Sequence, residues 1–251
     1  MPEGKVLSFK EWAQVNLKVL GDNPYPGRGL IIGLSEDGKQ LIQVYWIMGR
    51  SANSRNRVFI SDDCRSLRTS PSDASKVKDS SLIIYQAMAE NSDLYVVSNG
   101  DQTDSVIEGD KHCVDFQKTM LTRQYEPDAP NFTPRISAIF SKRLEKPFAE
   151  ISVLKKTEFG FGCNRFLYRY DEFHPGIGYC VTTYVGDGDP LPSFCGEPYL
   201  LPLPGDIDNV AGTIWNSLNE ENRVSLAVRF ISAGADDSSA MKIVNKYSIV
   251  G

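Results

Sequence analysis

Apolar positions along this chain fall into long, nearly unbroken runs and shorter helical spacings. Leu30-Ile31-Ile32-Gly33-Leu34 and Leu41-Ile42-Gln43-Val44-Tyr45-Trp46-Ile47 are apolar almost throughout, the pattern of strands buried on both faces of a layered sandwich. Between them, Ser35-Glu36-Asp37-Gly38-Lys39 places an Asp-Gly pair in a short polar connection, which predicts a hairpin. Ser8-Phe9-Lys10-Glu11 has capping-box spacing ahead of Trp12, Val15, Leu17, Val19 and Leu20. That predicts a helix over 9–20, ended by Gly21 and Asn23-Pro24. A long helix is expected over 103–124, with Val106, Ile107, Val114, Met120 and Leu121 apolar and Gly109-Asp110 a weak point. A third is expected over 206–218, with Val210, Ile214, Trp215 and Leu218 on one side. Strands are expected at 94–97, 135–140, 149–154, 165–170, 178–184, 224–231 and 241–249. Residues 81–90 suit a strand or a helix, and 70–81 reads as a polar loop.

These elements add up to an α+β protein with extended sheets covered by helices. No internal repeat or low-complexity linker divides the chain, so one domain over residues 1–251 is expected. Composition narrows the function. With 27 Lys+Arg against 32 Asp+Glu the formal net charge is -5, and no stretch is basic enough for a nucleic-acid footprint. No apolar run approaches the length of a membrane span, and the N-terminus lacks a signal-peptide core. Cys64, Cys113, Cys163, Cys180 and Cys195 stand singly, as reduced thiols in a cytoplasm do. His112 and His174 have no ligand-like spacing. Neither a zinc centre nor a histidine-dependent triad is expected, and chemistry falls to Arg, Tyr, Glu, Asp, Asn and backbone groups.

The run from Tyr45 to Phe59 carries the strongest chemical signal. A strand stops at Gly49, and Arg50, Ser51, Asn53, Ser54, Arg55, Asn56 and Arg57 follow before apolar residues resume. Guanidinium forks beside short hydroxyls and amides make a seat for a phosphorylated small molecule; the plain alternative is a solvated basic loop. Two further stretches are polar at element ends. Val96-Val97-Ser98-Asn99-Gly100-Asp101-Gln102-Thr103-Asp104 is a strand ending in a turn at a helix start, suited to an anion or a carbonyl oxygen. Tyr125-Glu126-Pro127-Asp128-Ala129-Pro130-Asn131-Phe132-Thr133-Pro134-Arg135 puts two carboxylates, an amide and an arginine in a proline-stiffened connection.

Taken in order, Tyr25-Pro26-Gly27-Arg28-Gly29, the Gly49–Arg57 run, Ile84-Tyr85, the Ser98–Asp104 turn and Glu126 through Thr133-Pro134-Arg135 resemble the archaeal-type IMP cyclohydrolase family. The specific motifs cover roughly residues 25–140, and the likeness continues more loosely toward the C-terminus. It implies a four-layer αββα sandwich resembling N-terminal nucleophile hydrolases, two antiparallel sheets flanked by helices. The self-processing chemistry of those hydrolases is not expected, since no Ser, Thr or Cys follows Met1. Two departures from the short archaeal pattern stand out. Residues 1–24 form an N-terminal helical extension, and the Gly- and Pro-rich segment 176–199 suits either closure over the site or a subunit contact.

The activity implied is ring closure of 5-formamidoimidazole-4-carboxamide ribotide to inosine monophosphate with loss of water, without a metal or redox cofactor. The resemblance gives Arg55 the developing negative charge, Tyr85 a donor or relay role, and Glu126 proton acceptance or carboxamide orientation. Arg28, Arg50, Ser51, Asn53, Asn99 and Arg135 would bind the ribotide. The residues alone give no reason to choose Arg55 over Arg57. A purine ribotide is the expected partner, with no nucleic acid or membrane, and the family inclines toward a homo-oligomer. An amidohydrolase for another amide ribotide, and a ribotide-binding regulator without turnover, remain open at this point.

Overall fold

Positions 40–48 read Gln-Leu-Ile-Gln-Val-Tyr-Trp-Ile-Met, and alternate side chains are buried against different partners. Leu41, Tyr45 and Ile47 belong to one apolar cluster, Ile42, Val44, Trp46 and Met48 to another. A strand buried on both faces lies inside a stack of layers. The structure, a computed structural model, describes residues 7–77, 83–234 and 236–249. The Met1-Pro2 terminus and residues 81–82 lie outside those ranges.

In chain order the elements are α1 (Phe9–Asp22), β1 (Gly29–Leu34), β2 (Gln40–Met48), the single turn α2 (Ala52–Arg55), β3 (Val58–Ile60), β4 (Leu67–Ser70), β5 (Gln86–Asn91), β6 (Leu94–Ser98), α3 (Gln102–Lys111) and α4 (Phe116–Leu121). Then come β7 (Arg135–Ser141), β8 (Phe148–Lys156), β9 (Cys163–Tyr170), β10 (Ile177–Thr182), β11 (Tyr199–Pro202), α5 (Ile207–Ser217), β12 (Arg223–Ser232) and β13 (Ser239–Asn245). Among the described residues the strands form a six-stranded sheet, β11-β10-β1-β2-β12-β13, and a seven-stranded sheet, β3 through β9 in sequence order. Neighbouring strands run antiparallel.

The largest core lies between the sheets, where Leu30, Ile32, Tyr45 and Ile47 meet Tyr95, Val97, Ile136, Ala138, Phe140 and Ile151. A second core sets Trp46, Val44 and Leu226 against Leu20 of α1 and Val210, Ala211 and Ile214 of α5. A third sets Val96, Ile139 and Leu154 against Val106 of α3 and Phe116 and Met120 of α4. The protein is therefore α+β, two antiparallel sheets face to face with helices outside. No helix among the described residues is long and apolar enough to cross a membrane.

The hairpin expected around Asp37-Gly38 is β1–β2, paired from Gly29↔Trp46 to Leu34↔Leu41. The capping box at Ser8 forms, with Glu11 N–H donating to Ser8 Oγ and Ser8 N–H to Glu11 Oε2 at 2.8 Å. The helix it starts covers the edge strand β11, where Asn16 Nδ2 donates to Leu200 O at 3.0 Å. Residues 86–91, open between strand and helix, are strand β5. The single helix expected over 103–124 is instead two. Asp115 caps α4 by accepting from Lys118 N–H at 2.8 Å, and Gly109 lets α4 fold back, since a Cβ there would stand 2.6 Å from Thr119 Oγ1. The short elements α2, β3, β4 and β11 were not anticipated, being too brief for periodicity to register.

One charged pair sits inside the inter-sheet core. Arg229 on β12 is fully buried and ion-paired to Glu90 on β5, with its guanidinium 5.3 Å from the Tyr95 ring centroid. Burial pushes the Arg229 pKa down to about 10. Removing the partner of a buried charge strands that charge in a low-dielectric interior. Glu90→Ala is therefore expected to cost about 3–5 kcal/mol in urea unfolding, and Glu90→Leu combined with Arg229→Met to recover most of it. A Glu90→Ala variant within about 1 kcal/mol of the parent would contradict this.

Candidate functional site

The segment before β1 has little conformational choice. Gly27 has φ +73°, and a Cβ on it would lie 2.2 Å from Thr183 Oγ1 and 2.5 Å from Tyr184 Cδ2. Gly29 sits beneath Trp46, whose Cζ2 would be 2.0 Å from an added Cβ. Two glycines thus press the backbone against neighbouring side chains, and Arg28 between them is directed inward. Arg28 Nη2 meets Glu126 Oε2 at 2.8 Å, and Nη1 donates to Asn99 O at 3.1 Å. Burial opposes the Arg28 charge, but Glu126, Tyr85 and Tyr45 outweigh it and raise its pKa well above the ordinary value.

This pair belongs to the wall of a cavity of about 340 Å³ between the ends of the two sheets. Five stretches far apart in sequence line it: Tyr25, Gly27 and Arg28; Met48, Arg50, Ser51, Asn53, Ser54 and Arg57; Ile83; Glu126, Asp128, Asn131 and Thr133; and Tyr184 with Leu191. A volume of this order accepts a small organic ligand. A second cavity of about 450 Å³ lies beneath α3 and α4, but its arginines are already matched, Arg143 to Asp110 and Arg169 to Glu150.

The three arginines of the 50–57 run go to different places. Ser51 caps α2 reciprocally with Ser54, by Ser54 N–H to Ser51 Oγ at 3.1 Å and Ser51 N–H to Ser54 Oγ at 2.9 Å. That turn directs Arg55 back toward the chain, with Nε donating to Gly49 O at 2.9 Å and Nη2 to Asn222 Oδ1 at 3.2 Å. Arg55 does not line the cavity; Arg57 does. Arg57 is 6% exposed, donates through Nε to Ser54 O at 2.8 Å and through Nη2 to Met48 O at 3.1 Å, and has no carboxylate partner among the described residues. Arg50 is paired with Asp187, donates to Gly188 O at 3.1 Å and lies 4.9 Å from the Tyr25 ring centroid.

Of the remaining sequence candidates, Ser51, Asn53, Arg28 and Glu126 line the cavity. Tyr85 is 7% exposed and its hydroxyl is 2.6 Å from that of Tyr45. Burial, with Tyr85 beside it, raises the Tyr45 pKa well above the ordinary value. The Asn99 side chain is taken up structurally, donating to Pro134 O at 2.9 Å and accepting from Gln102 Nε2 at 2.8 Å and Ile136 N–H at 2.9 Å. It reaches the cavity through its carbonyl, which accepts from Arg28. Arg135 points away, to Asp101 at 2.5 Å and Gln102 at 2.6 Å.

Tyr25, Tyr184 and Leu191 were not foreseen individually as site residues, although Tyr25 stands in the first motif and the other two in the Gly- and Pro-rich segment; Tyr45, which does not line the cavity, was not foreseen as the partner of Tyr85. Asp128, Asn131 and Thr133 lay in a stretch whose polar density did mark it. The 176–199 segment reaches the cavity mouth: Leu191 N–H donates to Asn131 Oδ1 at 3.0 Å, and Asp187 holds Arg50.

No curated protein matches the chain. A family does: the one described as IMP cyclohydrolase-like protein matches residues 25–236, which takes in all five stretches of the cavity wall. The chain belongs to the IMP cyclohydrolase-like protein family.

Proposed function

We propose that the chain closes the ring of 5-formamidoimidazole-4-carboxamide ribotide to give inosine monophosphate and water. The observation that carries this reading is the division of charge in the cavity. Arg28 is neutralised by Glu126 and Arg50 by Asp187, while among the described residues Arg57 has only backbone carbonyls as partners. One cationic fork is thus available to an anion, and acidic side chains elsewhere on the wall accept N–H and O–H groups. A phosphorylated ribotide with a carboxamide has both kinds of group. The layered order of sheets and helices fits the N-terminal nucleophile hydrolase likeness. We read the chain as one domain in which the residues before Tyr25 add a helix outside the six-stranded sheet.

In the reaction the carboxamide nitrogen attacks the formyl carbon and the new C–N bond closes the ring. One proton leaves that nitrogen and another leaves the formamido nitrogen; both depart with the formyl oxygen as water. The cavity's first contribution is to hold nitrogen and formyl carbon in near-attack geometry. Glu126, its direction fixed by Arg28, accepts the carboxamide N–H and orients it. Arg57 faces the oxygen on which negative charge develops. Tyr85 hands a proton toward that oxygen, and Tyr45 positions the Tyr85 hydroxyl. Ser51 and Asn53 receive the phosphate, beside an Arg50 held by Asp187.

Conversion of the formamido ribotide to inosine monophosphate by purified protein, followed by ultraviolet absorbance, tests the reading, and absence of turnover overturns it. Arg57→Lys is expected to lower kcat by about 100-fold with the fold intact, because a point charge does not replace the fork. Arg55→Lys should stay within a few-fold of the parent; the reverse result would return the role to Arg55. Tyr45→Phe and Tyr85→Phe should each lower kcat by about 10- to 100-fold. Because the two hydroxyls act through one hydrogen bond, the double variant should fall no further than the worse single. Additive losses would mean that they act separately.

A further inference from the structure

Beside the paired Arg28 and Glu126, the cavity has a wall made of acceptors. Asp128 is held by Thr133, whose N–H donates to Oδ1 at 2.6 Å and whose hydroxyl donates to Oδ2. The same hydroxyl is 2.5 Å from that of Tyr184. A carboxylate only accepts, and a threonine hydroxyl has a single proton. The chain of bonds therefore runs one way: Tyr184 donates to Thr133, and Thr133 donates to Asp128. The Tyr184 proton is committed to that chain, and burial raises its pKa to about 12, so the phenol stays protonated. Lone pairs are what Tyr184 and Asp128 still offer to a ligand.

All three side chains line the cavity, and among the described residues no cation pairs with Asp128. The neighbouring Glu126 differs in having Arg28 at 2.8 Å. A carboxylate oriented by its neighbours but lacking a cation is completed by neutral donors. Two adjacent hydroxyls suit it best, one to each oxygen. We propose that Asp128, aimed by Thr133 and Tyr184, receives the vicinal diol of a ribose, and so makes the cavity selective for ribonucleotides over 2′-deoxyribonucleotides. This deepens the ribotide reading above and rests on it. The carboxamide is the other donor such a ligand carries, and it has Glu126 for its acceptor. Thr133 and Tyr184 are positioning residues: the first sets the carboxylate's direction and the second fixes the direction of the first.

Isothermal titration of the full chain with inosine monophosphate and with 2′-deoxyinosine monophosphate tests the proposal. Losing a hydrogen bond to a charged group should weaken the deoxy ligand by about 10- to 100-fold. Asp128→Asn should bring the two affinities within about threefold of each other, because an amide presents a donor where the diol needs an acceptor. Tyr184→Phe and Thr133→Val keep shape while breaking the chain at successive bonds, and each should narrow the ratio partway. They also serve if Asp128→Asn does not fold. A parental ratio near one, or an undiminished ratio in Asp128→Asn and both relay variants, overturns the proposal and leaves the ribotide reading standing. Binding of neither nucleotide by the parent overturns both.

Discussion

The ion pair between Arg28 and Glu126 joins the two sheets where they open into the cavity. Arg28 immediately precedes β1 of one sheet; Glu126 lies in the connection that enters β7 of the other, and the Asn99 carbonyl at the end of β6 takes the second guanidinium nitrogen. Both side chains are nearly out of solvent, at 11% and 3% exposure. Desolvating two charges is costly, and their attraction offsets that cost only when geometry is good and the remaining donors are satisfied. The glycines on either side of Arg28 secure the geometry, and the Asn99 carbonyl secures one of the donors. The site's floor, the register of β1 and the docking of the sheets are therefore one arrangement.

From that floor outward, charge in the cavity is mostly cancelled in place. Arg50 meets Asp187 across 137 residues of chain, and Arg28 meets Glu126 across 98. What is left, among the described residues of the wall, is one cation, Arg57, and one carboxylate, Asp128, contributed by different segments. A cavity balanced overall but divided in this way favours a ligand that is itself divided, anionic at one part and rich in N–H or O–H donors at another. A purely cationic or purely anionic ligand would leave one of the two unmatched.

The parts of this arrangement legible in the sequence are those decided locally. The Asp-Gly hairpin, the Ser8 capping box and the buried runs of β1 and β2 depend on neighbours a few residues away, and the chain states them directly. The break between α3 and α4 was visible only as a weak point, because what completes it is the approach of Thr119 to Gly109. Which of Arg55 and Arg57 lines the cavity was beyond local reading. It turns on the α2 cap, and on Asn222, which reaches Arg55 from 167 residues away. Asn99 and Arg135 stood in polar motifs, yet their side chains are used to tie β6, α3 and β7 together. Tyr184 lay in the Gly- and Pro-rich segment but had no signal of its own, since its importance lies in Thr133, 51 residues distant.

That the cavity wall is assembled from residues near 25, 50, 83, 130 and 190 has a thermodynamic corollary. No contiguous fragment shorter than residues 25–191 contains the site, and the site exists only while the sheets remain docked. Occupancy and global folding are then linked quantities. A ligand present at 100 times its dissociation constant adds about 2.7 kcal/mol to the unfolding free energy, a large fraction of what a protein of ordinary stability possesses. For this fold, the concentration of its ligand is also a setting of its lifetime as a folded protein.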